Sequence, residues 1–164
     1  VVKAYTTRVG AGPFPAEIKG GVGDTLRQKG KEFGTTTGRP RRCGWLDMVI
    51  LRHAAEVNGF TGLALTKLDV LTGIETLRIC NGYRYQGNII RDYPASLQVL
   101  KQCQPVYEEL PGWQEDISNA RSVTDLPANC RNYIKRLEEL VGVPVQLIAV
   151  GPRRDQTIVV EEVL

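Results

Sequence analysis

Apolar positions recur at helical spacing in two stretches and at strand spacing in several others. Over 46–58, Leu46, Val49, Ile50, Ala54 and Val57 fall on one face of a 3.6-residue period and Gly59 follows, which predicts a helix stopped by the glycine. A clearer helix is predicted over 126–141: Pro127 stands near its first turn, Cys130, Tyr133, Ile134, Leu137 and Val141 form its stripe, and Gly142 ends it. Residues 1–7 (VVKAYTT) read as a strand closed by Gly10, Gly12, Pro13 and Pro15. GLALT at 62–66 and VPVQLIAV at 143–150 are short apolar runs of the kind that form buried strands. The segment 75–93 alternates on both sides of Gln86-Gly87-Asn88, a hairpin expected at an edge of the protein. QPVYEELPGW (104–113) reads as a strand leading into a Pro-Gly turn, and QTIVV (156–160) as a last strand. The glycine-rich, polar stretch 19–34 predicts a surface loop or short hairpin. Alternation of helix and strand predicts an α/β fold with a β-hairpin excursion.

Composition narrows the function class. The chain has 164 residues, 42% hydrophobic and 24% charged, which suits one domain or a large piece of a bigger globular protein. No apolar run approaches the roughly 20 residues that span a bilayer, and the opening stretch has no apolar signal region. A net charge of +3 is too small to mark a general nucleic-acid binder. Cys43, Cys80, Cys103 and Cys130 lie far apart, without the close pairs of a zinc site, and read as reduced thiols of a cytoplasmic protein. The chain starts on a strand pattern with no methionine, which favours a piece of a longer protein.

Ligands of open α/β sheets sit beyond the carboxyl ends of the strands. One such end carries Thr66-Lys67-Leu68-Asp69. A carboxylate there can accept both the N1–H and the 2-amino group of guanine, and it rejects adenine, which offers neither donor at those positions. The stem of Lys67 can cover the base while its ammonium stays wet. A solvated strand-to-loop ion pair is the plain alternative. The other end, Ala149-Val150-Gly151-Pro152, offers a close backbone approach at the glycine. The third candidate is GTTTGRPRR at 34–42, with hydroxyls, backbone N–H groups and the guanidiniums of Arg39, Arg41 and Arg42. Such an array suits carboxylate or phosphate, and three like charges need a counter-anion. A mobile solvated loop and a nucleic-acid patch remain as alternatives. His53, the single histidine, falls within the predicted helix and reads as structural.

VVKAYTTRVGAGPFP, EFGTTTGRPRRCGWLD, LTKLDVL, LPGW, NYIKRLEELVGVPV and VGPRRDQTI follow one another in this order. Together they resemble the C-terminal part of adenylosuccinate synthetase, and the similarity covers essentially all of 1–164. The resemblance implies the C-terminal portion of a larger, mixed-sheet, P-loop-type α/β enzyme. That family is a cytoplasmic, homodimeric, Mg²⁺-dependent ligase that joins IMP to L-aspartate at the expense of GTP in AMP biosynthesis. It implies that Thr35, Thr36, Thr37, Gly38, Arg39 and Arg41 bind aspartate, and that Val9, Gly10 and Arg39 meet IMP. GTP falls to Arg41, Lys67, Leu68, Asp69, Ala149, Val150 and Gly151. The family often has serine where Ala149 stands, so backbone contacts alone are expected there. No catalytic residue and no metal ligand is expected in this stretch: the phosphate loop, catalytic base and Mg²⁺ ligands belong to an N-terminal part. A membrane or nucleic-acid partner is not implied. A stand-alone nucleotide- or nucleic-acid-binding module using the same loops is the competing reading.

Overall fold

A computed structural model describes residues 1–160. In chain order its elements are β1 (Val2–Lys3), β2 (Thr6–Arg8), α1 (Gly21–Lys29), β3 (Arg42–Gly44), β4 (Leu46–Asp47), α2 (Met48–Asn58), β5 (Leu63–Thr66), β6 (Thr76–Tyr85), β7 (Asn88–Ile90), α3 (Leu97–Gln102), β8 (Gln104–Pro111), α4 (Ala128–Val141), β9 (Val145–Ala149) and β10 (Thr157–Val159). Mixed α/β with mixed parallel and antiparallel pairing is the observed class. The chain divides into two compact units.

The first unit comprises Val1–Ala4, Ala54–Leu77 and Glu109 onward. Its sheet runs β1-β5-β9-β10. β5 is parallel to both β1 and β9, and β10 returns antiparallel to β9. In β5 the buried Leu63 and Leu65 alternate with the half-buried Ala64 and Thr66, the period-2 pattern of a strand with one face covered. Four of the five predicted stripe residues of α4 are buried, Cys130, Tyr133, Ile134 and Leu137, while Val141 is partly exposed; the helix begins at Ala128 rather than Leu126, with Pro127 as its N-cap. Each large apolar side chain placed there contributes about 1.5–3 kcal/mol. Gly142 takes the left-handed conformation (φ 72) that caps a helix, and its N–H donates to the Glu138 carbonyl at 2.8 Å. Tyr133, fully enclosed, donates its hydroxyl to the Ala4 carbonyl at 2.7 Å.

The second unit comprises Tyr5–His53 and Arg78–Glu108. β2 and β3 pair antiparallel, and a separate sheet runs β4-β6-β7 with β8 also on β6. Gln86 and Gly87, at φ 47 and 81, make the tight turn of the predicted hairpin, with Tyr85 paired to Asn88 and Tyr83 to Ile90. β6 lies inside its sheet rather than at an edge, because β4, β7 and β8 all bond to its ten residues. Phe14, Ala16, Val49, Cys80, Tyr83, Leu100 and Cys103 form the core here.

Several expectations are corrected. Residues 1–7 are two strands in different sheets, broken at Ala4 and Tyr5, each 1% exposed. The stretch 19–34 holds helix α1 rather than a loop or hairpin. Its glycines suggest a breaker, but Gly23 is needed: a Cβ there would lie 2.3 Å from the Ile18 carbonyl oxygen. The next helix starts at Met48, not Leu46, because the Asp47 carboxylate accepts the N–H groups of Val49 (3.1 Å) and Ile50 (3.3 Å). Its buried side chains are Met48, Val49, Leu51 and Ala55, whereas Ile50 and Val57 face solvent. Apolar residues surround most of that helix, so spacing alone does not choose the face. Helix α3 was not predicted; it is short and buries only Leu100.

Candidate functional site

Two of the candidate segments leave the sheet side by side. β5 and β9 are parallel neighbours, with Leu65 level with Ile148, so the chain emerges at Thr66 and at Ala149 from the same end of the sheet. β9 also packs against the 3-10 turn Leu68–Leu71. Lys67 stands in the left-handed region at φ 63, ψ 26, a conformation costing a side-chain-bearing residue roughly 1–2 kcal/mol. That bend turns the chain into the 3-10 segment and is held because Leu68, Val70 and Leu71 are buried around it. Strain kept at a strand end in this way is the kind found at binding sites.

Asp69 is half-buried on this turn. Burial raises its carboxyl above the ordinary range; backbone N–H groups and Lys67 pull it down, and the nearby Asp116 carboxylate pushes it up. Leu68 and Val150 are fully enclosed, so their side chains cannot reach a ligand and only their backbones are available. The Val150 N–H is already given to the Gln156 carbonyl at 2.9 Å. Ala149 and Gly151 are partly exposed.

Two residues of this region escaped the sequence reading. Gln156, 4% exposed, accepts the Arg153 N–H at 3.1 Å and donates to the Ser118 carbonyl at 3.1 Å. It thereby ties the 150–156 loop to the 116–118 turn. Gly151 leaves room for it: a Cβ there would lie 2.3 Å from the amide oxygen of Gln156. Asp116 is the second; it closes its own turn by accepting the Ser118 N–H at 2.9 Å. An Asp-x-Ser turn is visible in the sequence, but nothing there ties it to the other two segments.

In the second unit, the threonine–arginine stretch is the tip of a β-bridged hairpin. Phe33 bridges Pro40, the Gly34 N–H donates to the Arg39 carbonyl at 2.8 Å, and the Arg41 N–H to the Glu32 carbonyl at 2.9 Å. Gly38, at φ 63, turns the tip, where Thr35, Thr36, Thr37 and Arg39 are exposed. The three arginines are not equivalent. Arg42 forks onto Glu17, with Nε to Oε1 and Nη2 to Oε2 both 2.7 Å, and its Nη1 donates to the carbonyls of Gly10 (3.2 Å) and Gly12 (2.8 Å). Its hydrogen bond holds Glu17 below the ordinary carboxylate range. Arg42 therefore secures the loop that contains Val9, 77% exposed, and Gly10. Arg41 donates through Nη1 to Glu32 at 3.1 Å. Only Arg39 has no side-chain partner among the described residues. The expectation of three guanidiniums lacking a counter-charge thus holds for one, because Glu17 and Glu32 supply the others from within the chain.

The remaining candidates are quiet. His53 stacks on Tyr93 at 5.2 Å. All four cysteines are buried, and burial pushes the Cys80 and Cys130 thiols up to about 12, far from a reactive thiolate. Among the described residues no group of three or more His, Cys, Asp or Glu side chains could hold a metal, and no helix is long and apolar enough to cross a membrane.

Comparison with known proteins gives one family. A model of the adenylosuccinate synthetase family matches residues 1–158. The adenylosuccinate synthetase of Moorella thermoacetica is 77% identical over 161 residues, covering 98% of this chain and 38% of the relative. That of Carboxydothermus hydrogenoformans is 64% identical over 163 residues, again covering 38% of the relative. The fully ligated adenylosuccinate synthetase structure from Plasmodium falciparum superposes with a TM-score of 0.94 at 43% identity, covering 98% of this chain and 39% of that one. This chain spans about 38% of the length of the curated relatives it matches. Identity at this level along nearly the whole chain does not arise from fold alone: the chain belongs to the adenylosuccinate synthetase family.

Proposed function

We propose that residues 1–164 are the C-terminal portion of a GTP-dependent ligase that joins IMP and L-aspartate into adenylosuccinate in purine nucleotide biosynthesis. The observation that carries this is the 77% identity to a protein of that name across 98% of the chain. The geometry supports a division of labour. Asp69 accepts the N1–H and 2-amino donors of guanine, Lys67 covers the base, and the backbones of Leu68, Ala149, Val150 and Gly151 line the same end of the sheet. Thr35, Thr36, Thr37, Gly38 and Arg39 bind the aspartate carboxylates from the hairpin tip. Val9 and Gly10 offer backbone to IMP, with Arg39 also reaching it. Arg41 serves aspartate and the guanine nucleotide.

These residues bind and orient; they do not carry the chemistry. Making adenylosuccinate requires activating the 6-oxygen of IMP, phosphorylating it, and displacing phosphate with the aspartate amine. The base, the phosphate loop and the Mg²⁺ ligands of that reaction lie in other residues of a longer, homodimeric, cytoplasmic protein. No step of the chemistry is assigned to a metal held by this chain. A stand-alone nucleotide- or nucleic-acid-binding module is disfavoured by a family match that spans residues 1–158.

The test is turnover. The full-length protein should form adenylosuccinate from IMP, GTP and L-aspartate, and omitting any one should abolish product. The 164 residues expressed alone should give none, since losing groups of this kind costs about two to four powers of ten each. A full-length protein that makes no adenylosuccinate, or one that works as well with ATP, contradicts the proposal.

A further inference from the structure

Glu32 is 1% exposed, and none of the binding roles above uses it. A carboxylate so placed has to be compensated from within the protein. Its two oxygens have different partners: the Tyr5 hydroxyl donates to Oε1 at 2.7 Å and Arg41 Nη1 donates to Oε2 at 3.1 Å. The site is shaped for these bonds. Gly30 caps helix α1, and a Cβ there would lie 2.1 Å from the Tyr5 hydroxyl oxygen, so that position has to be glycine for Tyr5 to reach Glu32. Lys31 then takes a left-handed turn, at φ 51, that leads into Glu32 at the start of the hairpin. The backbone of Arg41 is held as well: its N–H donates to the Glu32 carbonyl at 2.9 Å and its carbonyl accepts Arg27 Nε at 2.9 Å.

Arg41 spends only one of its guanidinium nitrogens on Glu32. Its Nε is buried without a partner, and no bond to Nη2 is found among the described residues. Nε is enclosed by the chain itself, so the donor left for a ligand oxyanion is Nη2. Glu32 itself is buried, whereas the Arg41 side chain is 32% exposed. The arginine is therefore fixed by a carboxylate that cannot leave, while its Nη2 is unspent.

We propose that Glu32, braced by the Tyr5 hydroxyl, is a positioning residue that presets Arg41 for a ligand carboxylate or phosphate. Arg41 is then preorganised before substrate arrives, while Arg39 on the exposed tip is ordered only by the ligand. Fixing a binding group in advance removes the entropy of ordering it from the binding step. The inference rests on the ligand role given to Arg41 above.

Kinetics of the full-length protein separate the two claims. Arg41→Lys keeps a positive charge for Glu32 but loses the second terminal nitrogen that would face the ligand, and should raise the KM for L-aspartate or GTP about tenfold or more. Glu32→Gln should raise the same KM about five- to twentyfold with a smaller change in kcat. Tyr5→Phe, which removes one oxygen and serves if Glu32→Gln does not fold, should raise it about two- to fivefold. In an Arg41→Lys background the Glu32 and Tyr5 changes should have little further effect on that KM, a non-additivity that a merely structural role would not produce. If Arg41→Lys leaves both KM values unchanged, the ligand role of Arg41 fails and the preset with it. If Arg41→Lys acts but Glu32→Gln and Tyr5→Phe leave KM within twofold, or act undiminished in the Arg41→Lys background, the positioning role is overturned while the binding role stands.

Discussion

Asp69→Asn in the full-length protein is expected to cost roughly 2–4 kcal/mol in the use of GTP and to turn its preference towards XTP. The carboxylate presents two acceptors to two adjacent donors of guanine. The amide keeps one acceptor and sets an NH₂ donor against a guanine donor. Xanthine carries a carbonyl where guanine carries its 2-amino group, so the new donor finds a partner there. The position is sensitive because it is rigid: Lys67 is held in a left-handed turn, and Leu68 and Val70 on either side of Asp69 are buried. Burial has already raised the Asp69 carboxyl. The guanine donors favour its ionised form, so GTP affinity should weaken as the medium is acidified, starting at a higher pH than for an ordinary aspartate. The ratio of kcat/KM for GTP and XTP in wild type and mutant checks this. An unchanged ratio would remove Asp69 from the guanine site.

Arg39→Leu is expected to raise the KM for L-aspartate by about tenfold to a hundredfold, the loss of one or two charge-assisted hydrogen bonds to a carboxylate. The KM for GTP should move by less than about threefold. Arg39 is suited to a clean experiment because it is exposed and its guanidinium has no partner among the described residues. Thermal stability should stay within the small range of surface substitutions. Arg42 offers no such separation, since it holds Glu17 and the Gly10 and Gly12 carbonyls together. Closure over a ligand is correspondingly expected at the tip, 34–39, rather than along the whole of 34–42: Arg41 and Arg42 are already tied to carboxylates of the chain. Measuring both constants decides which anion Arg39 serves. A larger effect on GTP than on aspartate would assign the tip to the nucleotide's phosphates.

What could be read from the sequence follows from how local each signal is. The α4 stripe, Gly142, the apolar runs of β5 and β9 and the Gln86-Gly87 turn depend on spacing and backbone preference, and they appear as predicted. Helix α1 was hidden because its only fully buried side chain with bulk is Leu26, while four glycines in and beside it argue for a loop. The break at Ala4 and Tyr5 was hidden because the alternation continues across a change of sheet. In the candidate sites, residue type pointed to Asp69 and to the arginines Arg39, Arg41 and Arg42 as one set. The separate duties of Arg41 and Arg42 were not legible, because Glu32 and Glu17 lie 9 and 25 residues away in sequence. Gln156 was passed over for the same reason: its partner Ser118 is 38 residues distant.

The most direct measurement is a structure of the full-length protein with GDP, IMP and an aspartate analogue bound. The guanine N1–H and 2-amino group should both lie within hydrogen-bond distance of the Asp69 carboxylate, and Thr35 to Arg39 should close on the aspartate analogue. A guanine ring seated away from Lys67, Asp69 and Gly151, or a threonine–arginine tip that contacts no ligand, would contradict the assignment.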